Sequence, residues 1–255
     1  MSLRFWSIVI PILVIAAGAI IIYMDYSDQQ EQQSATPNLP EHDHVHEEEL
    51  DATAGSDTAG YESEVTEPDS ADLARILEIE EAIEETDNTS LKIAYFGEII
   101  QRYMEYDRLD GAGDAGIRLA ELSEEPDDWI NAGDWFFAWL DKEPNRTRAF
   151  YFASRAAQAY GRALEDRPDD YELRTDKAAA LLESGNPERA EEELKAALEV
   201  NPEYLDANYN LGVILHQTGS KDESISYLRR SIELAEGTDR QEVVEQFIEE
   251  NDITL

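Results

Sequence analysis

The chain of 255 residues contains no cysteine. Disulfides, thiolate metal sites and cysteine nucleophiles are excluded. A location outside the cytoplasm stays open, because a domain large enough to build its own core does not need disulfides there. Positive charge is scarce as well: 20 Lys+Arg stand against 58 Asp+Glu, for a formal charge of −38. Such a surface repels nucleic-acid phosphates and excludes DNA or RNA as a partner class. It suits either a solvated surface in screening salt or attraction to basic partners. Histidine is rare too, and His216 is the only one outside the stretch 42–46. There is no phosphate loop, no Gly-x-Ser-x-Gly elbow, no His-Glu-x-x-His helix and no dinucleotide fingerprint. Acidic pairs are so common that no single pair stands out as an acid–base couple. The sequence reads as a protein without catalysis and without a cofactor.

One long apolar run is present, FWSIVIPILVIAAGAIIIYM over residues 5–24. As a helix it would span roughly 30 Å, the thickness of a hydrocarbon core. Pro11 is tolerable in a membrane-spanning helix. Arg4 precedes the run, and no Lys or Arg comes after it until Arg75. The positive-inside rule then puts the N-terminus in the cytoplasm and the rest outside, periplasmic in a Gram-negative cell. Two readings of the run stand: an uncleaved single-pass anchor, and a signal peptide cleaved near Ala17-Gly18-Ala19. The apolar run continues past that point through Ile20, Ile21, Ile22 and Tyr23, which favours the anchor.

Residues 25–69 carry many acids, no base, and scattered Ser, Thr, Gln, Gly and Pro. Such a stretch cannot bury enough apolar surface to offset the entropy of ordering, so a disordered acidic linker is expected. Its plain role is to hold the C-terminal part of the chain away from the membrane. Inside it, His42, His44 and His46 alternate among carboxylates. That pattern could chelate Zn, Cu or Ni weakly, or be a solvated polar tract.

From residue 70 the apolar spacing becomes helical. Leu73, Ile76, Leu77, Ile79 and Ile83 suggest the inner side of a first helix, with Ser70 as its N-cap. Asn88, Thr89 and Ser90 should cap a second, carrying Phe96, Ile99, Ile100 and Tyr103. Gly111-Ala112-Gly113 is expected to end it, before a short helix around Ile117 and Leu122. Residues 70–125 thus read as a degenerate helical region. The stretch Trp129–Trp139 reads as core aromatics of an irregular hairpin over 126–168, whose second helix would come after an unusually long loop. A stacking platform for a ligand is the rival reading of those aromatics. A final amphipathic segment, 239–255, places Val243, Val244, Phe247 and Ile248 on one side. Asn88-Thr89-Ser90 and Asn145-Arg146-Thr147 match glycosylation acceptors.

Three sets of positions recur at 34-residue steps: Ala156, Ala190 and Ser224; Tyr160, Leu194 and Leu228; Ala163, Ala197 and Ser231. Small residues at Gly133, Ala178 and Gly212 and turns at Gly185-Asn186-Pro187 and Gly219-Ser220-Lys221 fit the same frame. Residues 171–204 and 205–238 therefore resemble tetratricopeptide (TPR) repeats, helical hairpins that stack into a solenoid. The segment starting at Tyr171 is also similar to bacterial TPR proteins with one N-terminal membrane helix. Some of those assist protein assembly or cytochrome c maturation outside the cytoplasm.

The resemblance implies an all-α solenoid after a membrane helix and a disordered linker, with 239–255 as its capping helix. It implies a concave partner groove lined by Glu172, Thr175, Ala179 and Leu182 from one repeat. Asp206, Tyr209, Asn210, Val213 and His216 would line it in the next. The carboxylate clamp of chaperone-binding TPRs needs Lys and Asn where Thr175 and Ala179 stand, and only Asn210 matches. The expected partner is a neutral or basic, partly apolar protein segment. The expected function is a membrane-anchored scaffold for envelope or complex assembly. The alternatives are metal delivery through His42, His44 and His46, or a self-associating spacer that forms homo-oligomers.

Overall fold

The structure, a computed structural model, describes residues 68–254. Among them it contains ten α-helices, one short 3-10 segment and no strand. The helices are α1 (Ser70–Glu85), α2 (Thr89–Glu105), α3 (Leu109–Ser123), α4 (Pro126–Trp139), α5 (Arg146–Asp166), α6 (Tyr171–Glu183), α7 (Pro187–Val200), α8 (Leu205–Gln217), α9 (Lys221–Ala235) and α10 (Gln241–Glu250). From α2 to α9 each helix packs broadly against the next along the chain, and α1 sits more lightly on α2. This is the helical-hairpin solenoid that the sequence suggested. The membrane helix expected over residues 5–24 and all but the last two residues of the linker expected over 25–69, with His42, His44 and His46, lie outside the described residues. Among the described residues no helix is long and apolar enough to cross a membrane, and no cluster of His, Asp and Glu is arranged to hold a metal.

Local signals set the helix ends. Asn88, Asn145 and Asp170 each accept a hydrogen bond from a first-turn N–H, at 3.1, 3.1 and 3.0 Å. Pro126 and Pro187 open α4 and α7, where a missing N–H leaves no bond unmade. Gly185 and Gly219 close α6 and α8 with φ of +78° and +92°, a left-handed conformation that glycine adopts without strain. At the start of α1 the cap is Asp69, not Ser70: its carboxylate accepts from the N–H groups of Ala71 and Asp72. The larger acid reaches both donors from one residue earlier.

Packing corrects three further expectations. On α1, Ile76, Ile79 and Ile83 are buried, but Leu73 and Leu77 are 42% and 61% exposed. The helix presents one narrow stripe because α2 is its main neighbour. Gly111-Ala112-Gly113 does not end a helix; it lies inside α3. These positions are small because their neighbours come close. A Cβ on Gly111 would meet the Tyr103 ring at 2.6 Å, and one on Gly113 would meet the Phe136 ring at 2.7 Å. Helical glycine costs about 1 kcal/mol against alanine, which close helix approach offsets here. The third correction concerns the long loop expected before the helix that carries Phe150, Ala153 and Ala156. A 3-10 turn at Leu140–Lys142 takes up part of it, and α5 already begins at Arg146.

Two apolar clusters form. One joins Ile79, Phe96, Ile99 and Ala112 across α1–α3; the other runs through Phe136, Tyr160, Leu181, Leu194 and Leu211 across α4–α8. Phe136, Phe137 and Trp139 are buried in the second, so these aromatics serve as core. The 34-residue set is buried throughout: Ala156, Ala190 and Ser224, with Tyr160, Leu194 and Leu228 beside them. Each fully buried leucine contributes about 2 kcal/mol from area removed from water.

Candidate partner-binding groove

The first helices of the two regular hairpins, α6 and α8, carry the expected groove positions. On α6, Glu172 is exposed, and Ala179 and Leu182 are half-buried. Thr175 is buried, and its hydroxyl donates to the Tyr171 carbonyl at 2.9 Å. It is a buried residue with its hydroxyl satisfied inside the stack, and a partner does not reach it.

The second half of the groove is covered by the chain itself. Phe247 of α10 packs edge-on against Tyr209 at 5.9 Å and against His216 at 6.0 Å. Val244 beside it is fully buried. Arg240, just before α10, donates to Asp206 at 2.7 Å. Tyr209 and Val213 are therefore buried, and His216 and Asp206 are partly so. Four of the nine expected residues, Asp206, Tyr209, Val213 and His216, are thus engaged or enclosed at this end, and Thr175 is enclosed at the other. The physical reason is that α8 presents an apolar inner face which would otherwise stay wet at the end of the solenoid. Phe247 and Val244 were legible as an apolar side; that this side lies over Tyr209 and His216 was not.

Of the nine, the residues left accessible are Glu172, which is exposed, and Ala179, Leu182 and Asn210, which are half-buried. The rim around them is acidic. The Tyr204 hydroxyl is held protonated far above the usual phenol range, first by burial and then by the charges of Asp206, Asp176 and Glu172. Burial also pushes the Asp206 carboxyl up, against the opposing pull of Arg240. His216 is pushed down by burial and by Lys221, so it is neutral at pH 7. Tyr171 and Tyr204 meet edge-on at 5.0 Å at the starts of α6 and α8. That pair was missed, although two tyrosines beside the helix starts of consecutive repeats are visible in the sequence. Asn208 was missed too: it is buried, and its amide donates to the carbonyls of Pro202 and Tyr204, tying the inter-repeat turn to α8. Basic side chains that could grip a carboxylate are turned to another task. Arg174 and Lys177 both bind Glu193 on α7, at 2.7 and 2.6 Å.

Residues 175–238 match the tetratricopeptide repeat family model. This stretch is made of TPR repeats. No curated protein matches the chain. Among solved structures, the repeats superpose on a thermophilic TPR protein from Thermus thermophilus, 15% identical, with a TM-score of 0.48 over 72% of this chain and 91% of that one. YrrB, a TPR protein with an unusual peptide-binding site, gives 19% identity and a TM-score of 0.49 over 70% of this chain and 87% of that one. MamA from Desulfovibrio magneticus RS-1 gives 18% identity and 0.48 over 64% and 86%. At these scores the superpositions are partial, and the fold rests on the helices described above.

Proposed function

We propose that this chain is a membrane-anchored TPR scaffold that holds protein segments outside the cytoplasm, in envelope or complex assembly, without catalysing a reaction. The observation that carries the binding role is that Glu172, Ala179, Leu182 and Asn210 stay accessible between an acidic rim and a self-covered end. An apolar floor with negative edges suits a neutral or basic, partly apolar segment lying in it as a helix or extended peptide. The anchor role rests on the apolar run 5–24 and the absence of basic residues from there to Arg75.

Two measurements test the parts separately. The full chain, used as bait on detergent-solubilised membranes, should return a reproducible protein that is lost with Leu182→Asp and Asn210→Ala together. A bait that captures the same proteins with and without these changes removes the groove from the reading. Protease added outside cells whose outer layer has been opened should degrade the repeats. Full protection of the repeats places them on the other side of the membrane and ends the scaffold's proposed location.

A further inference from the structure

The extra length in the irregular hairpin builds a second surface. From the small residue of the first helix to that of the second is 12 residues in the regular repeats, Ala178 to Ala190 and Gly212 to Ser224. From Gly133 to Ala156 it is 23, an excess of 11. Seven of the eleven lie at the start of α5, which runs 10 residues from Arg146 to Ala156 where Pro187 to Ala190 is 3. Seven residues are about two helical turns, so the extension leaves the inward face of α5 in phase: Phe152 and Ala153 are buried, as are Ala156 and Tyr160 below them. Phe152 stacks on Phe136 at 5.9 Å. The added turns lengthen the helix by about 10 Å and bring an outward face with them.

That face is unlike the rest of the molecule. Residues 144–164 hold four arginines and no carboxylate, in a chain with 58 acids and 20 bases. The corresponding helix of the next repeat, α7, has five glutamates. Phe150 and Tyr151 are 40% and 50% exposed, the most exposed aromatics among the described residues' large apolar side chains. Arginines frame them. Arg146 lies over Phe150 at 5.3 Å, and Arg155 lies over Tyr151 at 5.8 Å. Arg155 also reaches Asp114 at 3.1 Å, and the exposed Arg148 reaches Glu143 at 3.3 Å through Nε. Arg146 makes no ion pair among the described residues.

We propose that the outer face of the α5 extension, built from Arg146, Arg148, Phe150, Tyr151 and Arg155, is a docking site for an acidic protein segment that carries aromatic or apolar side chains. Guanidinium forks match carboxylates in geometry, and stacked aromatics hold apolar side chains at low entropic cost. Arginine and large aromatics are also the residue types that carry interface energy. A peptide is favoured over an anionic membrane by charge: a flat lipid surface would face the remaining acids of the chain, whereas a narrow segment meets only this face. The site is separate from the groove of α6 and α8 and takes the opposite charge, so each stands or falls alone.

The test uses the full chain and a fluorescein-labelled peptide of alternating Glu and Phe, read by fluorescence anisotropy, with the Lys-for-Glu version as its control. The acidic peptide is expected to bind, to weaken with added salt, and to lose at least about tenfold in affinity with Arg146→Glu and Arg148→Glu together. Phe150→Ser with Tyr151→Ser should weaken it severalfold, and Leu182→Asp in the groove should leave it unchanged. Helical circular dichroism confirms that the surface variants stay folded. Several results overturn the proposal: no binding by the wild-type chain, equal binding of the Lys peptide, or wild-type affinity in the double arginine variant. Retention on phosphatidylglycerol vesicles that drops with Arg146→Glu and Arg148→Glu, with no peptide bound, overturns it in favour of a membrane. Loss of a self-associated form in the arginine variant, seen by sedimentation, overturns it in favour of a second copy.

Discussion

The front hairpin, α4–α5, and the rear hairpins, α6–α7 and α8–α9, solve one packing problem with different side chains. Each must let two helices cross closely at a small residue. In front the pair is Gly133 under Tyr160, whose hydroxyl also donates to Asp134 at 3.0 Å. At the rear it is Ala178 near Leu194, and Gly212 under Leu228. Glycine with a ring and alanine with a leucine fill similar volume, so the repeat frame survives the exchange. The ring adds a polar tip and a rigid shape, which makes the front hairpin less forgiving. The comparison teaches that what is repeated is the small-to-large fit, while the residues that achieve it are free to vary.

The largest expected effect comes from emptying each fit. Tyr160→Ala should cost about 3–5 kcal/mol and Leu228→Ala about 2–5 kcal/mol, with the front at the upper end because more volume and a hydrogen bond are lost together. Urea unfolding of the two variants measures the difference. Equal costs would mean that the hydroxyl contact adds nothing and that the two hairpins differ only in appearance.

A smaller effect comes from filling the fit. A Cβ on Gly133 would lie 2.6 Å from the Tyr160 ring. Gly133→Ala should therefore cost about 1–3 kcal/mol by overpacking. Adding Tyr160→Leu should recover part of that loss, since the pair then becomes the alanine–leucine of the neighbouring repeat. A double-mutant cycle followed by thermal unfolding reads the coupling. Costs that simply add would show that the two side chains do not constrain one another, and the packing account would fail.

The sequence made the repeats visible because their rule is local and periodic. Ala190, Leu194 and Ala197 recur as Ser224, Leu228 and Ser231, and every one of these is buried. The front was harder to read for two physical reasons. Gly111-Ala112-Gly113 carries the signature of a chain break, and only the rings of Tyr103 and Phe136, from the helices before and after it, turn it into a helix face. The insertion before Ala156 made the hairpin of 126–168 read as irregular, because about two added helical turns and a longer connection leave the face in phase but lengthen the spacing. The groove was half legible. Positions on α6 and α8 follow from the repeat, but their covering by Phe247 depends on where the chain goes after Gly237, which no local pattern states.

The smallest effect concerns how α1 is held, and it contrasts the front end with the rear. The α1 stripe of three isoleucines is supplemented by ion pairs to α2. Arg75 meets Glu98 at 3.0 Å, Arg102 bonds both Glu98 and Asp72, and the Tyr106 hydroxyl donates to Asp72 at 2.6 Å. The Tyr106 hydroxyl and then Arg102 hold the Asp72 carboxyl below the usual carboxylate range, and Arg75 and then Arg102 do the same for Glu98. A carboxyl lowered in the folded state binds fewer protons there than in the unfolded chain. Its contribution is present above the ordinary values of 3.8 and 4.5 and is lost as pH falls through the folded value. At the rear, Asp206 is shifted the other way by burial, so its protonation in acid relieves a cost. Lowering the pH below the carboxylate range should therefore release α1 while α8 stays protected. Amide exchange, corrected for the intrinsic rate at each pH, separates the two ends. If α1 and α8 lose protection together, the ion pairs on α1 contribute nothing of their own and the isoleucine stripe alone holds it.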